Sequence, residues 1–141
     1  MINLQADEVM RLQVKLSAPR LVGPTGQGHL NVIPIIGGTF TGPGLEGTVV
    51  EGGADWSMAY PDGLVRVFAK YMLKTIDDEY IAIENEGILN PSDNPRIRTK
   101  PTFQANSSGK YCHLNSGVYV GELAVTPGVE DSVDIVIYKL R

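Results

Sequence analysis

Basic clusters are absent from this chain. Twelve Lys and Arg residues stand against sixteen Asp and Glu, a net charge of −4, and the twelve are scattered. Nucleic-acid affinity rests largely on cations that neutralise phosphates, and anionic membrane surfaces recruit the same residues, so neither partner is expected. Cysteine is limited to Cys112, which excludes an internal disulfide framework and a thiolate metal cluster. The two histidines, His29 and His113, have no His or Cys at ligand spacing, and neither metal nor cofactor is expected. No apolar run approaches the roughly 20 residues that span a bilayer as a helix. The opening "MINLQADEVMRLQVKL" carries acidic residues where a signal peptide needs a basic region, so a cytoplasmic location is the expectation. Helical periodicity is missing too: no segment shows a capped apolar stripe with a 3.6-residue repeat.

What the chain does have is alternation. From Val65 to Leu73 the odd positions Val65, Val67, Ala69, Tyr71 and Leu73 form a continuous apolar row. A strand sends alternate residues to opposite faces, so this row predicts one core-facing side. On the mixed side, Phe68 and Met72 are either ordinary surface hydrophobes or the seat of a second subunit. A homo-oligomer, dimer or higher, is the expectation. Similar runs occur at Val9–Ser17, His29–Ile36, Gly44–Val50, Asp55–Tyr60, Tyr80–Asn85, Arg96–Ala105, Gly117–Val125 and Ser132–Leu140. Turn signals separate them, among them Gly52-Gly53, Pro61-Asp62-Gly63 and Pro127-Gly128.

With 141 residues, enough for a core without staples, the pattern predicts one all-β domain over residues 1–141. Strands at this spacing imply an up-and-down antiparallel arrangement of about eight to ten strands, with little helix. A closed barrel is favoured over a sandwich because closure removes unpaired edges. Pro34 and Pro101 lie inside strand-like runs and should mark edges, bulges or bends.

Several suggestive motifs dissolve on inspection. "GPTGQGH" follows no clear strand and opens no helix, as a phosphate-cradling loop would have to. Cys112 and His113 are adjacent, and neighbours in a strand point apart. Ser57 and Ser116 lack the strand-to-helix elbow of hydrolases. The acidic "EDSVD" lacks calcium-loop spacing and reads as a solvated turn.

Polar residues inside strand-like runs carry more information. Asp55, Glu84, Asn85, Arg98 and Asn115 adjoin strong strand formers. Those that point inward must be paired, because an unpaired buried charge is very costly. An Asp55–Arg98 pair in a barrel mouth is one arrangement that satisfies both; the alternative is that each faces water or ties down a turn. In "EGGADW" the two glycines read as a turn, since glycine tolerates positive φ. Asp55 and Trp56 then point to opposite faces; if one of them belongs to a site it is Asp55, with Trp56 as packing, and the alternative is that both only pin the corner.

With these residues in place, the chain resembles a bacterial family of uncharacterised proteins, domain of unknown function 3237, also termed uncharacterised protein family 0311. The resemblance runs over roughly Ile33 to Val136. It is carried by "PIIGGTFTGPGLEGTVVEGGADW", Asp62-Gly63, "KYMLKT", "RTKPTF" and "LNSGVYVG". Asp55, Trp56, Tyr71, Arg98, Pro101, Phe103, Tyr111, Leu114, Asn115 and Gly121 match the family's pattern by position. Departures fall at Phe68, where the family usually has an acidic residue, at Ala82, usually aromatic, and at His113, usually tryptophan. The resemblance implies an antiparallel barrel of calycin-like outline.

Three functions compete. The first is a barrel that binds a small apolar or aromatic metabolite. Its candidate contacts are Asp55, Tyr71, Asn85, Arg98, Phe103, His113, Asn115 and Tyr119, with Trp56 as a further aromatic wall. The second is a cofactor-independent isomerase, cyclase or lyase, with Asp55 as general base and Arg98 or Tyr71 steadying an oxyanion. The third is an oligomeric structural module with a filled barrel. A base and a donor converging on one cavity would favour the second over the first.

Overall fold

The alternating rows form strands. In the computed structural model, which describes residues 1–94, 96–125 and 131–141, nine strands follow one another. They are β1 (Ala6–Leu16), β2 (Arg20–Pro24), β3 (His29–Gly42), β4 (Leu45–Ala59), β5 (Val65–Thr75), β6 (Tyr80–Leu89), β7 (Ile97–Gln104), β8 (Tyr119–Val125) and β9 (Ser132–Leu140). A short 3-10 turn, Cys112–Asn115, lies between β7 and β8. Neighbours in the order β1-β9-β8-β7-β6-β5-β4-β3 pair antiparallel, and β1 also pairs with β3, which closes these eight strands into a barrel. β2 stays outside the ring. It takes over the edge of β3 where β1 leaves it: Leu16 pairs with Ile35, and Arg20 with Val32. Among the described residues no helix is long and apolar enough to cross a membrane. The expected turn at Pro127-Gly128 lies outside the described residues, while Ser132–Asp134 of the acidic run belong to β9, not to a turn.

The reading of Gly52-Gly53 as a turn is corrected by the pairing. All of Gly44–Val50 but Gly44, and all of Asp55–Tyr60 but Tyr60, belong to one strand, β4, and the glycines form a bulge within it. Val50 pairs with Met72 and Ala54 with Lys70, so two residues of β4 are extra. Gly52 takes φ +124, and a side chain on Gly53 would collide with the Lys70 carbonyl and the Tyr71 Cβ. Register shifts in β3 after Ile35 and in the β1–β3 pairing at Lys15/Leu16 fall beside it. Aligned bulges of this kind bend a sheet sharply, and here they make a corner of the barrel. Pro34 sits next to the β3 shift, and Pro101 lies where the β7–β8 ladder has already ended, at Thr99.

The barrel interior is uneven along its axis. One end is packed solid by Met10, Leu73, Ile81, Ile83 and Ile137, each fully buried, beneath Phe40, Phe103 and Tyr119. The 3-10 turn plugs that end, with Tyr111 and Leu114 buried. Asn115 fastens the plug: its side chain accepts from Ala105 N at 2.7 Å and donates to Ala105 O at 2.9 Å. The opposite end, where β1, β4, β6 and β8 finish, is where the interior opens.

Candidate functional site

Toward that end the inward rows lose bulk at one level. Asp55 pairs with Ala69, and Ala69 in turn with Asn85, so a methyl group separates two polar side chains across three strands. On β8 the inward residue is Gly121, opposite Thr99. Interiors are close-packed, so small residues in register leave space. The result is a cavity of about 60 Å³. Val14, Leu16, Ile35, Val67, Ala69, Leu123, Val133 and Ile135 line it with hydrocarbon, and Asp55, Tyr71, Asn85 and Thr99 supply the polar atoms. A larger concavity of about 580 Å³ between β1, β3, β4 and β9 is an open groove on the outside, edged by Arg11, Thr39, Glu46 and Asp134. The smaller interior cavity is the stronger candidate because buried polar groups converge on it.

Three of those groups have no partner. Tyr71 Oη, Asn85 Oδ1 and Thr99 Oγ1 are buried without a hydrogen bond. Each such atom costs about 1–3 kcal/mol, and native interiors hold few of them. Asn85 and Thr99 lean over Gly121: a Cβ there would stand 2.6 Å from Thr99 Oγ1 and 3.7 Å from Asn85 Oδ1. Glycine thus forms the floor under both.

Asp55 is the acid of the cavity. Its Oδ1 accepts a hydrogen bond from Phe68 N at 3.1 Å. Burial pushes its pKa above the ordinary carboxyl value, and the Phe68 bond only partly offsets this. Tyr71 is pushed up as well, by burial first and by the Asp55 charge second, so its hydroxyl keeps its proton. A potential base and a fixed donor therefore share one small, mostly apolar space.

Of the residues singled out from sequence, Asp55, Tyr71 and Asn85 meet in this cavity. Arg98 does not join them. On β7 alternation turns Thr99, Pro101 and Phe103 inward and Arg98 outward, where it lies 3.7 Å from Glu122, so no Asp55–Arg98 pair forms. Phe103 and Tyr119 pack edge to face at 5.1 Å in the solid half, away from the cavity. His113 is exposed on the plug, and Asn115 is the clamp described above. Trp56 faces outward and is 50% exposed, which removes it from any inner wall.

Thr99 and Gly121 were missed as site formers, although alternation from Phe103 already places Thr99 on the inner face. Arg98→Gln is accordingly expected to change the unfolding free energy by no more than about 0.5 kcal/mol. Urea denaturation checks this, and a large loss would reveal an unseen role for the guanidinium. Among the described residues no three His, Cys, Asp or Glu side chains are grouped to hold a metal.

The architecture defines the class first: a closed eight-stranded antiparallel barrel, plugged at one end, with a small polar-floored cavity toward the other. Within that class the chain belongs to the DUF3237 family, proteins of unknown function, whose family model matches residues 5–140. The match extends beyond the span that the sequence motifs suggested and takes in β1, β2 and the whole of β9. A curated relative from Bradyrhizobium diazoefficiens, named as a UPF0311 protein, is 35% identical over 137 residues, covering 86% of this chain and 89% of its own. A crystal structure of a conserved protein of unknown function from Rhodopseudomonas palustris superposes with a TM-score of 0.89 at 27% identity, over 100% of both chains. A structure described as an enzyme from Penicillium herquei shares the fold, with a TM-score of 0.80 at 20% identity over 100% of this chain and 97% of its own.

Proposed function

We propose that this protein binds a small organic molecule, an apolar or aromatic metabolite whose polar head enters the inner cavity. The carrying observation is the convergence of three unpartnered buried atoms, on Tyr71, Asn85 and Thr99, with the Asp55 carboxylate. Unsatisfied polar groups gathered on an apolar cavity are what a ligand head would satisfy. A water molecule occupies about 30 Å³ of liquid, so about 60 Å³ admits a functional group of a few heavy atoms. The rest of the ligand would lie toward the strand ends, against Leu16, Val67, Leu123 and Val133. A filled structural barrel fits this hollow half poorly.

Asp55 and Tyr71 favour a second, compatible reading, cofactor-independent proton transfer. Asp55 would take a proton from the carbon next to a carbonyl, and the electron pair would move onto the carbonyl oxygen. Tyr71 Oη would donate to that oxyanion, and return of the proton at another position would give the isomer. The fungal neighbour described as an enzyme lends the fold to this reading and no residue assignment.

Thr99→Val tests the binding reading through two effects of opposite sign. The substitution keeps shape and removes an unpartnered hydroxyl, so the free protein should gain about 1 kcal/mol in stability. Retention of a co-purified small molecule in native mass spectra should fall about tenfold. A variant less stable than the parent that retains its ligand unchanged would sink the proposal. The same spectra count subunits. We also propose a homo-oligomer seated on the outer face of β5, where Met72 is 45% exposed and the Arg66 guanidinium covers Phe68 at 4.9 Å from the phenyl ring centre.

A further inference from the structure

Resting on the reading that the cavity takes a ligand head, we infer that it selects an uncharged head that both gives and accepts a hydrogen bond, and rejects carboxylate and phosphate heads. The cavity wall holds no cation. Among the described residues its lining includes no Lys, Arg or His, and Pro95 and residues 126–130, which lie outside the description, include none in their sequence. Lys15, between the lining residues Val14 and Leu16, is exposed on the outer face, and the cations of β5 and β7 nearest the polar lining are turned outward and engaged. Arg66 meets Glu86 at 3.1 Å, Lys70 meets Glu84 at 3.3 Å, and Arg98 meets Glu122 at 3.7 Å. An anionic head would therefore enter a space of about 60 Å³ beside Asp55 with nothing to balance it. Like charges in a low-dielectric pocket cannot both remain ionised, so such a ligand would have to bring a proton with it.

The hydrogen-bonding inventory narrows the head further. An ionised carboxylate only accepts, and so does an amide oxygen such as Asn85 Oδ1. Both need hydrogen from the ligand. Tyr71 Oη, which keeps its proton, needs an acceptor from the ligand instead, and Thr99 Oγ1 can serve in either sense. A hydroxyl, enol or amide N–H placed next to a carbonyl oxygen meets all of these demands within a few heavy atoms.

Benzamide and benzoate provide matched probes: one ring and nearly one shape, with a neutral donor–acceptor head in the first and an anionic acceptor in the second. Titrations followed by NMR signals of Val14, Thr99 and Leu123 at mildly alkaline pH should show benzamide binding at least about tenfold tighter. Asp55→Asn should narrow that gap from both sides, weakening benzamide by the lost charge-assisted contact and strengthening benzoate by the lost repulsion. Benzoate binding in the cavity as tightly as benzamide would overturn the inference and leave the ligand-binding reading standing. A gap unchanged in Asp55→Asn would overturn it equally, and if that variant does not fold, the ratio in the parent protein decides. Failure of both probes to move the cavity signals at millimolar concentration would overturn the binding reading together with the inference.

Discussion

Gly53→Ala is expected to cost about 3 kcal/mol of unfolding free energy, the upper part of the range for forced overpacking. The reason is space. The bulge in β4 lays Gly53 directly on β5, and a methyl group there would run into the Lys70 carbonyl and the Tyr71 Cβ. Neither is the flexible end of a side chain, so relief requires one strand to move. Gly52 beside it separates space from conformation: it has φ +124, with nothing near the position of a Cβ. Gly52→Ala should thus bear only backbone strain, about 1–2 kcal/mol. The two variants should also differ at the cavity, because Gly53→Ala pushes on Tyr71 and Gly52→Ala does not. Urea denaturation gives the stabilities, and tyrosine ring signals report the displacement. A Gly53→Ala protein as stable as the parent would mean that the bulge does not depend on this close approach.

The barrel was legible in the sequence because its signal is local. Alternation in Val65–Leu73 shows which residues face inward whatever the partner strand is, and turn residues mark where the direction reverses. The bulge was not legible for the same reason. A glycine pair serves a turn and a bulge equally well, and only the pairing of Val50 with Met72 and Ala54 with Lys70 tells them apart. The site divides along this line. Opposite faces for Asp55 and Trp56 followed from adjacency, and the structure has Asp55 in the cavity and Trp56 outside.

Arg98 was set beside Phe103 as a ligand contact although the two differ in parity and cannot share a face, an error that alternation alone could have prevented. Phe103, Tyr119, His113 and Asn115 were out of reach of such reasoning. Which end of the barrel is solid depends on the 3-10 turn folding back over it, where the adjoining Tyr111 donates its hydroxyl to Asp77, 34 positions away in the chain. Thr99 looks like any strand threonine until Gly121 is seen opposite it.

Asp55→Asn should have the largest functional effect of any single substitution, and its stability profile separates a working acid from a corner pin. Asparagine can still accept the Phe68 N–H through Oδ1, so the fold should persist. The charge-assisted contact to the ligand head is lost, which predicts binding weaker by at least about tenfold. If the cavity transfers protons, turnover should fall by about a thousandfold, since an amide cannot act as the base.

The folded-state pKa of Asp55 lies above its ordinary 3.8, because burial disfavours the charge. Between 3.8 and the raised value the folded chain holds the proton more tightly than the unfolded chain. In that window the parent protein loses stability as pH rises, and above it the cost is constant. Asparagine carries no such cost. The variant should therefore melt at or above the parent at neutral pH, and its advantage should shrink as the pH falls through the window and settle below it. Melting curves of both proteins across that range give the difference directly, with all other titrating groups common to the two. A carboxylate that merely fastens the corner through favourable bonds would give the reverse: a variant weaker at neutral pH whose deficit disappears in acid.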